Sequence, residues 1–119
     1  MIVAVLGASN KAERYSFKAL KMLQEHGHDP LPIHPKLKEI EGATVYANLA
    51  AIDKEVNTLT MYVGPARSAT MVDDILALGA KRVIFNPGTE NSELQEKLRQ
   101  QGVEVVEACT LVMLSTGTF

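Results

Sequence analysis

The first sixteen residues constrain this fold more than any other stretch of the chain. Met1-Ile2-Val3-Ala4-Val5-Leu6 is an unbroken apolar run, stopped by Gly7 and followed by the small residues Ala8 and Ser9. A strand buried on both faces shows such continuity instead of alternation, and burial on both faces belongs to parallel sheets covered by helices. A polar run to Arg14-Tyr15-Ser16 comes next, and a helical pattern follows. This is how a βαβ unit opens when backbone N–H groups at the helix start are left free to receive an anion.

The rest of the chain repeats the theme. The first helix is expected to begin between Ala12 and Arg14 and to run to about His26. Ala12, Ser16, Ala19, Leu20 and Leu23 form its inward stripe, and Gly27 ends it. Leu31-Pro32-Ile33 reads as a short strand closed by His34-Pro35, with the donor-less Pro32 making one side irregular or edge-like. Lys36 to Asn57 is the least regular part, with a strand of two or three residues near Val45-Tyr46 and a helical turn within Leu49 to Val56. A strand over Leu59 to Val63 is followed by a helix from about Ala66 to Leu78, with Ala69, Val72, Ile75 and Leu76 inward. Arg82 to Phe85 is a strand, Ser92 to Gln101 a helix and Val103 to Val106 the last strand. Three times a helix, a terminating glycine (Gly27, Gly79, Gly102) and a strand succeed one another, which implies parallel strands joined by right-handed crossovers. The expected fold is α/β: a Rossmann-type three-layer sandwich on a mainly parallel five-stranded sheet, order 3-2-1-4-5, forming one domain over residues 1–119.

Composition removes several function classes. The net charge of −2 argues against a general nucleic-acid or membrane-surface role, which needs a basic face. Cys109 is alone, so no disulfide framework or CxxC pair exists. No apolar run approaches the roughly 18 residues of a membrane span. The N-terminus lacks the basic start of a signal peptide, and a cytoplasmic location is the expectation.

Ligands of such sheets bind beyond the carboxyl ends of the strands, where strand order reverses. Four turns with unusual chemistry are expected on that rim: Gly7-Ala8-Ser9, His34-Pro35-Lys36, Gly64-Pro65 and Asn86-Pro87-Gly88. Gly7 permits a tight turn, Ala8 and Ser9 let a diphosphate approach the backbone, and Ser9 either donates to phosphate, caps a helix, or does both. Against G-x-G-x-x-G, positions 7, 9 and 12 read Gly, Ser and Ala, half of a dinucleotide fingerprint. An NAD site wants an acidic residue after the second strand; here stand His34-Pro35-Lys36, and a lysine suits a ribose phosphate, as in coenzyme A or NADP.

The motifs V-A-V-L-G-A-S (3–9), E-R-Y-S-x-K (13–18), L-x-E-H-G (23–27), L-P-I-H-P-K (31–36), G-A-K (79–81) and N-P-G-T-x-N (86–91) together resemble the small single-domain coenzyme A-binding proteins. Their domain is also the N-terminal domain of the succinyl-CoA synthetase α-subunit. The resemblance implies that the 3′-phospho-ADP part of coenzyme A, or of an acyl-CoA, lies across the strand ends. Gly7-Ala8-Ser9 would then receive the diphosphate, with Arg14 and Ser16 flanking the first helix start. Pro35-Lys36 would sit at the ribose phosphate, Gly64-Pro65 at the adenine, and Pro87-Gly88 nearer the pantetheine. This chain departs from the family at His34, where Asn is usual, and at Gly64, where Arg is common; Arg67 is a candidate replacement for that charge. The family's C-terminus tends to be longer and polar or basic, whereas this sequence reads Leu114-Ser-Thr-Gly-Thr-Phe119.

No acid, base and nucleophile are recognisable together, and His26, His28 and His34 do not make a metal set. Cys109 lies in an apolar context that favours an inert thiol. The expectation is a non-catalytic coenzyme A-binding module. The alternatives are an NADP-binding enzyme fragment, or a protein-interaction domain whose tail, Leu111 to Phe119, docks on a partner or on a second copy in a homodimer.

Overall fold

The computed structural model describes residues 1–119. In chain order it contains β1 (Ile2–Leu6), α1 (Tyr15–Glu25), β2 (Asp29–Ile33), β3 (Glu39–Ile40), β4 (Ala43–Thr44), a 3-10 turn (Leu49–Ala51), β5 (Thr58–Met61), α2 (Pro65–Ser68), α3 (Val72–Ala77), β6 (Arg82–Phe85), α4 (Ser92–Gln100), β7 (Glu104–Glu107) and α5 (Thr110–Ser115).

Five strands form one parallel sheet in the order β2-β1-β5-β6-β7. One parallel bridge between Ile33 and Tyr46 adds the rudiment of a further strand outside β2. With that rudiment as the third strand, the order follows the expected 3-2-1-4-5 pattern, and β7 continues it. β3 and β4 form a separate antiparallel hairpin.

The run at the N-terminus feeds two cores, because alternate residues of a strand face opposite ways. Ala4 and Leu6 join Leu59, Met61, Phe85, Ile75 and Leu94 on the α3–α4 side. Val3 and Val5 join Leu20, Leu23 and Leu114 on the α1–α5 side. Helices on both faces of one sheet make the three layers. Each fully buried Leu, Ile or Phe contributes about 2 kcal/mol relative to exposure, so β1, which serves both cores, anchors the domain.

The proline-rich β2 is tolerated because it borders the sheet. Asp29 N donates to the Met1 carbonyl at 3.0 Å. Alternation then directs Pro30 and Pro32 to the outer side, where a missing N–H breaks no ladder bond. The Pro32 carbonyl still accepts from Tyr46 N at 2.9 Å.

Four local expectations need correction. Ala12 is exposed in the turn before α1 and takes no part in the inward stripe, whereas Ser16, Ala19, Leu20 and Leu23 are buried as expected. The helix expected over 66–78 is broken into α2 and α3, leaving Ala69 exposed. At the break Thr70 Oγ1 donates to the Arg67 carbonyl at 2.7 Å, a side-chain bond that competes with the helical ladder, and Met71 N bonds the Ser68 carbonyl in place of that of Arg67. The last strand is Glu104–Glu107, one residue later than expected. Finally, the tail, for which no helix was expected, contains α5: Leu114 is buried in the smaller core and Phe119 rests against it, while Val112 stays exposed.

Candidate functional site

A cleft of about 770 Å³ opens beyond the carboxyl ends of the central strands. Its floor lies where the chain leaves β1 for β2 on one side and returns to β5 on the other, the reversal point at which such sheets hold ligands.

Gly7 closes the end of β1 at a φ of +88°, and a Cβ there would lie 2.8 Å from the Tyr62 carbonyl oxygen. Glycine is therefore needed both for its backbone angle and for the close approach of β1 to β5. Ala8 is buried in the smaller core. Ser9 Oγ accepts from Lys11 N at 3.1 Å, so Ser9 closes a short turn and does not cap α1. Its own proton stays available.

The start of α1 is uncapped. Arg14 holds the N-cap position without a side-chain hydrogen bond, and the first turn carries no acidic residue. Arg14 N bonds the Lys11 carbonyl and Lys18 N the Arg14 carbonyl, which leaves the N–H groups of Tyr15, Ser16 and Phe17 without backbone acceptors. Ser16 is 5% exposed, and its hydroxyl makes no hydrogen bond within the protein although the residue lines the cleft. Free N–H groups at a helix start attract anions, and a hydroxyl with no partner in the protein is free to donate to one.

Charge points the same way. Lys11, Arg14 and Arg67 line the cleft against a single carboxylate, Asp74. The four ion pairs of the chain lie elsewhere and involve none of these cations.

At the β2 side, His34 and Pro35 line the cleft together with Asn48. The His34 ring is bound to its own turn, its Nδ1 accepting from Lys36 N at 3.0 Å and from Leu37 N at 3.1 Å. The exposed Lys36 is outside the lining. Gly64 lines the wall as the N-cap of α2, while Pro65, in the first turn of that helix, does not. Pro87 and Gly88 line the opposite end, where the Gly88 N–H donates to Glu90 Oε1 at 2.8 Å.

That last turn is held from below by a buried network. Asn86 Nδ2 donates to Thr60 Oγ1 at 2.8 Å and to the Met61 carbonyl at 2.7 Å, and Asn86 Oδ1 accepts from Thr110 N at 2.8 Å. One side chain thus ties β5, β6 and α5 together. Nearby, the Tyr62 hydroxyl is buried without a partner, and burial pushes its pKa up to about 12. Cys109 is half-buried at the N-cap of α5.

Ten of the twelve residues expected from the sequence therefore share one wall: Gly7, Ala8, Ser9, Arg14 and Ser16 at the centre, His34 and Pro35 on one side, Gly64, Pro87 and Gly88 on the other. Sequence reasoning passed over Lys11, Tyr15 and Asn48. Lys11 stands between the glycine turn and the helix, and Tyr15 is the first residue of α1, so their placement was readable. Asn48 follows the strand rudiment at Tyr46, and only the tertiary bridge brings it to the rim.

Comparison with known proteins bears on the family and the fold. A family model described as a CoA binding domain matches residues 2–115. A crystal structure of an uncharacterized protein is 42% identical, with a TM-score of 0.87 over 99% of this chain and 97% of that one. The uncharacterized protein YneT of Bacillus subtilis is 23% identical over 104 residues, covering 87% of this chain and 77% of its own length. The dinucleotide-forming acetyl-coenzyme A synthetase 1 of Ca. Korarchaeum cryptofilum, in complex with phosphate and ADP, aligns with 90% of this chain and 25% of its own at a TM-score of 0.76. Its 22% identity speaks for the shared fold. No helix of this chain is long and apolar enough to cross a membrane.

Proposed function

The chain belongs to the CoA-binding domain family, and from that membership we propose that it binds coenzyme A or an acyl-CoA through the 3′-phospho-ADP moiety, as a binding module and not as a catalyst. The observation that carries the reading is the uncapped start of α1, with the Ser16 hydroxyl beside it, unbonded within the protein and open to the cleft. A diphosphate laid there accepts from the free N–H groups of Tyr15, Ser16 and Phe17 and from the Ser9 and Ser16 hydroxyls. Arg14 and Lys11 supply the opposing charge.

In this reading the adenine borders the Gly64-Pro65 turn and the pantetheine runs towards Pro87-Gly88. Lys36 reads the 3′-phosphate by swinging its flexible four-carbon arm in from the turn after β2, and His34 and Pro35 flank the ribose. The absence of a carboxylate at the end of β2 removes the group that would hold the ribose hydroxyls of NAD.

Titration calorimetry with coenzyme A, dephospho-coenzyme A and NADP tests this. Coenzyme A is expected to bind tightest, with an affinity that falls as salt is raised. Lys36→Ala is expected to cost about tenfold for coenzyme A, or about 1.4 kcal/mol, and to leave dephospho-coenzyme A unaffected. Tighter binding of NADP, or no binding of coenzyme A at millimolar concentration, overturns the proposal. Equal affinity of the wild type for coenzyme A and its dephospho form overturns the role given to Lys36.

A further inference from the structure

His34 is a cleft residue whose ring is fixed by its own backbone. Two N–H groups, those of Lys36 and Leu37, converge on Nδ1 at 3.0 and 3.1 Å. A ring nitrogen that accepts hydrogen bonds carries no proton, so the imidazole is neutral with its hydrogen on Nε2. That second nitrogen has no partner within the protein, and the residue lines the cleft. Nδ1 stands two bonds from Cβ, where an asparagine would carry Oδ1. The ring therefore closes the turn as an asparagine side chain does, and it extends a further N–H beyond the reach of an asparagine.

We propose that His34 is a positioning and specificity residue: its neutral ring folds the 34–37 turn and presents Nε2–H to a polar acceptor on the ribose side of the bound nucleotide, so the site accepts ligand only while that ring is unprotonated. The ligand half of this inference rests on the coenzyme A reading, whereas the tautomer and the turn do not. A proton on Nδ1 would set a third N–H against the two that now donate to it, and the turn must open.

The charged and titratable groups around the ring are known. Lys36 and Lys38 lie on its own segment. Tyr46 on the adjoining bridge accepts from His34 N at 3.0 Å through its carbonyl and donates its hydroxyl to Asp53 at 3.4 Å. Lys11 and Arg14 line the same cleft from the α1 side, and Arg67 and Asp74 line its far wall. A phosphomonoester titrates near pH 6, which makes dephospho-coenzyme A, with none, the proper probe.

The experiment has two arms. Nitrogen-15 NMR of the ligand-free protein should show a bare Nδ1 and a protonated Nε2 on His34 at pH 8, and the Lys36 and Leu37 amide signals should move together with the ring on acidification. Calorimetry with dephospho-coenzyme A should show wild-type affinity falling about tenfold from pH 8 to pH 5.5. His34→Asn, which keeps the turn and cannot titrate, should have a flat profile and lie within about fivefold of the wild type at pH 8. His34→Ala should be weak at both pH values, with its melting curve showing that it is folded. A proton found on Nδ1 at pH 8, or a wild-type profile that matches that of His34→Asn, overturns the inference. If dephospho-coenzyme A and coenzyme A both fail to bind, the coenzyme A reading falls while the NMR arm still decides the ring and the turn.

Discussion

The two ends of this sheet treat polar groups in opposite ways. At the amino ends of the strands the side chains hold one another. Arg82 Nε donates to Thr58 Oγ1 at 3.1 Å, and its guanidinium lies 4.5 Å from the centre of the Phe119 ring. That ring is 5.1 Å from His28, whose Nδ1 is 3.1 Å from the Met1 amino group. At the carboxyl ends, Lys11, Arg14 and Arg67 have no carboxylate partner, the first turn of α1 is uncapped, and the Ser16 hydroxyl is unbonded. A polar group bonded within the protein adds stability, whereas one left to solvent adds none and stays ready for a ligand. The amino end holds the fold closed, and the carboxyl end is arranged for an anion.

Substitutions that exchange these roles test the comparison, and the largest effect is expected from an exception to it. Asn86 lies at the carboxyl end yet is fully bonded, so Asn86→Ala strands the Thr110 N–H and the Met61 carbonyl. A loss of about 3 kcal/mol is expected in urea unfolding. Gly7→Ala comes next, since it forces a Cβ against the Tyr62 carbonyl at a positive φ. About 2 kcal/mol of stability is expected to go, along with most coenzyme A affinity by calorimetry.

Ser16→Ala and Arg14→Gln sharpen the contrast. Each is expected to weaken coenzyme A by about fivefold to tenfold, roughly 1 kcal/mol, with the thermal midpoint unchanged or slightly raised. Arg82→Ala should do the reverse, costing about 1 kcal/mol of stability and leaving affinity untouched. An Arg82→Ala protein that binds as poorly as Arg14→Gln would break the comparison.

The smallest effect is one of pH. Burial, then the charges of the Met1 amino group, His26 and Arg82, hold the His28 imidazole below its ordinary value. The unfolded chain therefore takes up that proton at a higher pH than the native one. The stability that follows is complete above the ordinary value of about 6.5 and is lost as pH falls through it towards the lowered native value. Melting curves between about pH 7.5 and pH 5.5 should drop more steeply for the wild type than for His28→Gln.

The layers of this fold were legible because they depend on short-range pattern. An apolar run with no alternation, and helices closed at Gly27, Gly79 and Gly102, are enough to imply a parallel sheet with covered faces. The failures have a common cause. Thr70 interrupted a helix that apolar spacing alone had extended, and α5 was hidden because a six-residue apolar helix and a free apolar tail look alike until Leu114 is seen against α1. The strand rudiment at Tyr46 is a single long-range bridge. At the site, glycine and proline turns at the strand ends pointed to the rim. Side-chain direction was not readable: Arg67 lines the cleft, Lys36 stands outside the lining, and the His34 ring makes turn bonds that an asparagine could make.

The most direct test of the account is an amide NMR map of the protein titrated with coenzyme A. The account predicts large shifts at Ser9, Tyr15, Ser16 and Phe17, smaller ones at the turns around His34, Gly64 and Gly88, and none around His28, Arg82 and Phe119. Shifts centred on the amino ends of the strands, or a titration that leaves the start of α1 unmoved, would contradict it.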